Sequence, residues 1–112
     1  MSTINDLKYV LESVLGCECK RGSDHVSYLL KINGRVIART KYSHSWRGNH
    51  QIDENMLSIQ ARQMGCSNKT WKRLLQGLIP KEEYFNELVA RGIMTQEEYD
   101  SLFGNSAPEQ QK

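Results

Sequence analysis

The first apolar positions of the chain follow the spacing of a helix. Four of them recur every three or four residues: Ile4, Leu7, Leu11 and Val14. This spacing puts them on one helical face. Thr3 followed by Asp6 forms a capping box, and Gly16 is typical of the end of a helix. The pattern predicts an amphipathic helix over residues 3–15.

Between residues 17 and 42 the helical spacing gives way to strand-like runs. The runs cover residues 17–21, 25–32 and 35–42. Gly22-Ser23-Asp24 is typical of a turn, and Asn33-Gly34 is a strong hairpin signal. We therefore predict a meander of three antiparallel strands.

The second hairpin has two registers, which place different residues on the solvent face. A two-residue loop pairs Ile32 with Arg35 and mixes basic with apolar residues on one face. A three-residue loop pairs Lys31 with Arg35 and separates the two kinds of residue almost cleanly. We choose the second register, which also puts His25 opposite Lys41.

The chosen register predicts a helix side and a solvent side of the sheet. The helix side holds Val26, Tyr28, Leu30, Val36, Ala38 and Thr40. The solvent side holds His25, Ser27, Leu29, Lys31, Arg35, Ile37, Arg39 and Lys41. The solvent side is therefore expected to be basic, with one histidine.

Helices are expected again after a polar loop over residues 43–52. Asp53 and Ser67 can cap the first two, Pro80 can open a third, and Thr95 with Glu98 forms a second capping box.

The order of one helix, three strands and then helices predicts an α+β two-layer sandwich. We divide the chain into a domain over residues 1–78, an acidic two-helix extension over 79–103 that is packed on it or tethered to it, and a disordered tail over 104–112.

Charge is distributed unevenly along the chain. The 112 residues carry a net charge of +2, yet the first 80 hold 12 basic and 6 acidic residues, whereas residues 81–112 hold 3 and 7. A basic body favours a polyanionic partner, with an ordinary solvated surface as the plain alternative.

Three features of the sequence indicate where the protein is located. The chain has no apolar run of the ~18 residues that a membrane span needs, no signal-peptide pattern, and an odd count of three cysteines that disfavours a closed disulfide framework. We expect a cytoplasmic protein that does not associate with membranes.

The cysteines and histidines are the side chains most suited to carry chemistry. Cys17-x-Cys19 puts two thiols on one face of a strand, a poor spacing for zinc, so we expect no metal and no cofactor. His25 lies among fixed cations, which suits phosphodiester cleavage, because an imidazole can move a proton and cations can offset the developing charge. On spacing alone, an exposed histidine on a solvated basic strand remains the plainer alternative.

Contacts to RNA are expected from the basic side of the sheet and the loops beside it. The candidates are Lys20, Arg21, Lys31, Arg35, Arg39, Lys41, His44, Trp46 and Arg47. Trp46 and Arg47 have two interpretations. They stack on a base or contact a partner, or Trp46 folds back to close the edge of the core.

The segment Arg21-Gly22-Ser23-Asp24-His25-Val26-Ser27-Tyr28 resembles the HicA family of small toxins from bacterial toxin–antitoxin pairs. His25 and Tyr28 match the His-x-x-aromatic step of that family, Gly34 matches its turn, and His44 matches its later histidine. The likeness covers about residues 3–78, including the closing helix that ends at Gly65.

This resemblance implies a fold like the double-stranded-RNA-binding domain, α-β-β-β-α, here with extra C-terminal helices. It also implies metal-independent cleavage of messenger RNA, with His25 as the catalytic residue, and a HicB-like antitoxin as the protein partner.

Two functions follow, and the sequence favours one narrowly. The first is an endoribonuclease of the messenger-RNA-interferase type, favoured by the spacing of His25 and Tyr28 and by the basic face. The second is a non-catalytic module that binds RNA or protein, for instance an inhibitor carried on a mobile genetic element. Asp24 and the acidic C-terminal part favour the second. We choose the first and make no prediction of the oligomeric state.

Overall fold

The structure, a computed structural model, describes residues 2–104. The first helix, α1, covers Ile4–Tyr9 and continues as a π-helical turn over Val10–Val14. The strands are β1 (Glu18–Arg21), β2 (His25–Ile32) and β3 (Arg35–Ser43). The later helices are α2 (Glu54–Gln63), α3 (Asn68–Leu75), α4 (Lys81–Ala90) and α5 (Gln96–Phe103).

The helix starts follow the predicted caps. Four N-cap side chains accept a hydrogen bond from a backbone N–H group of the first turn: Thr3, Asp53, Ser67 and Thr95. Each cap satisfies a donor that the first helical turn leaves without a partner. Pro80 also precedes α4, although it provides no side-chain cap.

The first helix differs from the prediction in its second half. Residues 10–14 form a π-helical turn instead of a continuous α-helix, and the chain leaves that turn through Gly16 at φ +67. Glu12 of this turn accepts a hydrogen bond from the hydroxyl of Tyr28 on β2. Burial and this bond raise the pKa of Tyr28. The bond therefore joins the first helix to the middle strand.

The sheet is an antiparallel meander in the order β1-β2-β3. Side chains on one side of β2 are buried at positions 26, 28, 30 and 32, and they pack into the same core as the helices. The predicted α+β class is confirmed.

The predicted hairpin register is wrong. The hairpin combines a two-residue turn with a bulge in β3. Ile32 pairs with Arg35 across a two-residue turn, in which Asn33 has φ 50 and Gly34 φ 82. The next pairs are Lys31 with Val36 and Leu30 with Ala38, so one residue of β3 bulges out between them. The bulge restores the predicted alternation for the rest of the strand.

The bulge changes the positions of several predicted surface residues. His25 lies opposite Ser43, whereas Lys41 lies opposite Ser27. Val36 is exposed instead of facing the helices, and Ile37 is partly buried against the core.

Arg35 does not lie on the basic face as predicted. Its partner Ile32 is buried on the helix side, and the guanidinium reaches α5. Its Nη2 lies 2.6 Å from Oε1 of Glu98, and its Nε donates to Oε2 at 3.0 Å. The guanidinium therefore forms an ion pair that holds α5 and does not lie on the predicted face.

One hydrophobic core joins the sheet to α1, α2, α3 and α4. Trp71 and Tyr84 are fully buried, and their polar atoms bond Oε1 of Gln60 and the carbonyl of Met64. Tyr84 belongs to the extension over 79–103, so that extension contributes to the core of the first 78 residues. Helix α5 lies outside it and packs Phe103 against Phe85, with ring centroids 5.7 Å apart.

Two further findings concern the ends of the chain and its helices. Gly104 ends α5 in the left-handed conformation, and the rest of the predicted disordered tail, 105–112, lies outside the described residues. No helix within residues 2–104 has both the length and the hydropathy needed to cross a bilayer.

Candidate nucleic-acid interface

The side of the sheet that faces away from the helices carries an exposed group of cations. Lys41 pairs with Ser27 and Arg39 with Leu29, so both share a face with His25 two residues further along β2. All three basic residues are exposed. Among residues 2–104, Arg39 and Lys41 have no carboxylate within ion-pair distance. We call His25, Arg39 and Lys41 the open-face cluster.

The edge of the same face at β1 is less basic than predicted. Oε1 of Glu18 lies 2.7 Å from Nζ of Lys31, and its Oε2 lies 3.9 Å from Nζ of Lys20. The hydrogen bond and charge of Lys31 lower the pKa of Glu18. Sequence reasoning did not include Glu18, although its two-residue spacing from Lys20 predicts that they share a face.

A shallow groove of about 370 Å³ surrounds His25 at the end of the sheet. Its walls are Lys20, Arg21, Gly22, Ser23, Asp24, Ser27 and Lys41. The groove is shaped by the turn between β1 and β2, where the N–H of Gly22 donates to the carbonyl of His25 at 2.8 Å. Arg21 pairs with Val26, so it belongs to the helix side of the sheet and reaches the groove from its edge.

Both histidines that match the HicA pattern lie at this end of the sheet. The N–H of His44 donates to the carbonyl of Asp24 at 2.9 Å, one residue beyond the pairing of His25 with Ser43. The imidazole of His25 makes no hydrogen bond to another group within residues 2–104, and Asp24 is the carboxylate of the groove. His25 is therefore open to a ligand, and no side chain of residues 2–104 fixes its orientation.

The loop after β3 is held by the start of the first helix. The N–H groups of Ile4 and Asn5 donate to the carbonyls of His50 and Gly48 at 3.0 and 2.8 Å. A Cβ at Gly48 would overlap the side chain of Asn5, so the glycine leaves room for this close approach. Sequence reasoning missed this anchorage, because bonds between backbone groups leave no side-chain pattern.

Trp46 is the ordered aromatic of that loop. Its ring stacks on His50, with centroids 4.5 Å apart and planes 9° apart, and it is half-buried against the core. Trp46 therefore closes the edge of the core, as one of its two interpretations predicts, and its contact with a base stays a prediction. Arg47 beside it is exposed.

Two of the three cysteines are poor nucleophiles because they are buried. Burial raises the pKa of Cys17 and of Cys66 to about 12, and the thiolate is the nucleophilic form. Within residues 2–104, no group of three or more His, Cys, Asp or Glu side chains is placed to hold a metal ion.

Comparison of the chain with protein-family models, curated proteins and solved structures gave no match. The HicA likeness rests on the short motifs around His25 and stays a prediction.

Proposed function

We propose that this protein binds RNA on the open face of its sheet and that His25 transfers a proton in metal-independent cleavage of the bound strand. The observation that carries the proposal is the open-face cluster, in which Arg39 and Lys41 share an exposed face with His25 and have no carboxylate partner among residues 2–104. The setting we propose is a toxin in the cytoplasm, with a HicB-like antitoxin that covers the cluster.

The proposed binding depends on phosphate charge. Arg39 and Lys41 are two residues apart on one strand, about 7 Å along its axis, so they can meet neighbouring phosphates of one extended strand. Each phosphate that they neutralise releases counterions, which makes the affinity depend on salt. Such contacts position the RNA without reading its sequence.

The proposed chemistry needs only proton transfer and charge stabilisation from the protein. A ribose 2′-hydroxyl attacks the adjacent phosphorus while His25 takes its proton. The bond from phosphorus to the 5′-oxygen breaks, and that oxygen leaves with a proton from the imidazolium or from water. The products are a 2′,3′-cyclic phosphate and a 5′-hydroxyl. Lys41 and Arg39 offset the negative charge that develops on the phosphoryl oxygens.

A non-catalytic RNA-binding module is the second candidate, and one observation favours it. The imidazole of His25 has no hydrogen-bond partner among residues 2–104, whereas catalytic bases are usually oriented by another group. In that case the open-face cluster binds RNA and leaves it intact.

The test is an assay with end-labelled RNA in the presence of a chelator. We expect fragments that carry 2′,3′-cyclic phosphates, and no cut at a nucleotide whose 2′-hydroxyl is replaced by hydrogen. A Lys69→Ala variant, changed at an exposed cation on α3, controls for loss of charge elsewhere and should cleave like the unchanged protein.

Three results separate the candidates. Fragments with the expected ends support cleavage, provided that His25→Ala protein purified in parallel lacks them. Intact RNA that is bound with a steep salt dependence supports the binding module. RNA that is neither bound nor cut overturns both.

A further inference from the structure

A second cleft adjoins the open-face cluster, between β3, the loop after it and α2. Its volume is about 210 Å³, and its walls include His25, Lys41, Trp46, Met56, Ile59 and Gln63. Lys41 and His25 also line the groove at the end of the sheet. The two spaces therefore share a wall formed by His25 and Lys41.

The interior of the cleft is mostly apolar but carries one amide with a fixed position. Met56, Ile59 and Trp46 are each partly buried there. Oε1 of Gln63 accepts a hydrogen bond from the hydroxyl of Thr40 at 2.7 Å, and Thr40 is 2% exposed. This buried anchor holds the amide, and its Nε2 has no partner among residues 2–104.

We infer that this cleft seats one unpaired base of the bound strand, an inference that rests on the proposed function. A base has two apolar faces and an edge of hydrogen-bonding groups, and its sugar joins it to a phosphate. The apolar side chains match the faces, Nε2 of Gln63 can donate to an acceptor on the edge, and Lys41 stands where the phosphate would lie.

The position of Trp46 supports this assignment. His50 covers one side of the indole, so the loop is closed on that side and the rest of the ring borders the cleft. Aromatic side chains that border a basic groove are the usual platforms for single-stranded nucleic acid. A paired base is held in its stack and cannot enter, so the cleft selects a single strand with an unpaired base.

The experiment uses the full chain and its own fluorescence. Trp71 is fully buried, so a change of tryptophan emission on binding reports Trp46. The probe is an eight-nucleotide RNA with 2′-O-methyl riboses, which cannot be cleaved. Its counterparts are the same strand with each base removed in turn, a duplex of the same sequence and a DNA strand of the same sequence. Trp46→Phe identifies the source of the signal.

We expect the single strand to quench the emission and to bind more tightly than the duplex. One abasic position should weaken binding roughly 5- to 150-fold, the range of one base stacked on an aromatic residue. Gln63→Ala should weaken the intact strand and leave the abasic strand unchanged. Gln76→Ala, at the exposed amide that directly follows α3, is the matched control and should change neither.

The outcomes separate this inference from the function on which it rests. Equal affinity for the intact, abasic and duplex probes, with normal salt dependence and no quenching, overturns the base cleft while RNA binding stands. No binding of any probe overturns the proposed function as well. Equal binding of the DNA strand supports the cleft as a site for an unpaired base that does not depend on the 2′-oxygen.

Discussion

The two ends of the β2–β3 hairpin both carry basic side chains, yet their surroundings differ completely. At the turn, Arg35 bonds both carboxylate oxygens of Glu98 and the carbonyl of Ile93 at 3.3 Å. At the far end, Lys41 stands beside His25 in an open groove with no ion-pair partner among residues 2–104. The partner that each basic residue finds, and not its type, separates the residue that holds the fold from the one that we propose meets RNA.

The difference between the ends comes from the bulge at Ile37. Without it, Arg35 and Arg39 would lie on the same face of β3, because they are four residues apart. The two-residue turn puts Arg35 on the helix side, where α5 presents Glu98. The bulge then returns Arg39 to the open face.

The largest expected effect is on the rate of RNA cleavage. It is tested by comparing two matched variants, His25→Ala and Arg35→Ala, one at each end of the hairpin. Loss of a proton-transfer group typically lowers the rate ~10²–10⁴-fold, so His25→Ala should show little RNA cleavage. Because His25 is exposed, its free energy of unfolding should change by less than ~0.5 kcal/mol. Arg35→Ala should cleave at nearly the normal rate.

Cleavage rates and urea unfolding curves of both variants test this prediction. Equal loss of cleavage in the two variants would mean that the turn and the far end are not functionally distinct.

The second effect concerns affinity. Arg39→Ala combined with Lys41→Ala should weaken RNA binding and flatten its salt dependence. Each phosphate contact on a single strand contributes about 0.7 to the slope of log affinity against log salt, so removing two contacts should lower the slope by about 1.4.

Titrations between low and moderate salt measure that slope, with Arg35→Ala as the control. An unchanged slope in the double variant would remove the open-face cluster from the interface.

The third effect concerns the turn itself. Gly34 has φ +82, and a Cβ there would meet nothing within 4 Å. Gly34→Ala therefore tests backbone conformation alone, and a left-handed L-residue costs roughly 1–2 kcal/mol. We expect urea unfolding to show a loss of this size, with RNA affinity unchanged. A fall in RNA affinity would instead show that the turn and the far end of the hairpin are coupled.

The smallest effect is the pH dependence of the Arg35–Glu98 pair. The hydrogen bond from Arg35, with that from the N–H of Thr95, lowers the pKa of Glu98 to about 2. The unfolded chain has a glutamate pKa of about 4.3. The pair therefore stabilises the fold fully above that value, and the stabilisation is lost as the pH falls toward 2.

Thermal unfolding of the unchanged protein and of Glu98→Gln between pH 7 and pH 2 measures this contribution. The unchanged protein should melt higher at pH 7, and the difference should close as the pH approaches 2. A difference in melting temperature that persists at pH 2 would show that the stabilisation comes from the shape of the Glu98 side chain and not from its charge.

The sequence predicted the parts of the fold that depend on local chemistry. The caps at Thr3, Asp53, Ser67 and Thr95 each need one side chain and the backbone next to it. The strand His25–Ile32 was predicted with its observed bounds, because its buried and exposed residues alternate.

The features that sequence reasoning missed depend on pairs of distant residues. The Asn33-Gly34 turn and the alternation of β3 favoured different registers, and only a bulge satisfies both. Nothing local marks Ile37 as the extra residue. The partner of Arg35 is 63 residues away, and the cleft depends on Gln63 and Thr40 meeting across 23 residues.

The bulge also has a consequence for self-association. β3 is an edge strand, and an edge with unpaired backbone groups can pair with the edge of another copy. Bulges and charged side chains prevent such pairing, and β3 carries the bulge together with Arg39 and Lys41. The two cations that we propose to bind RNA therefore also disfavour pairing between copies along this strand. A chain in which both are neutral has lost part of its protection against aggregation through this strand.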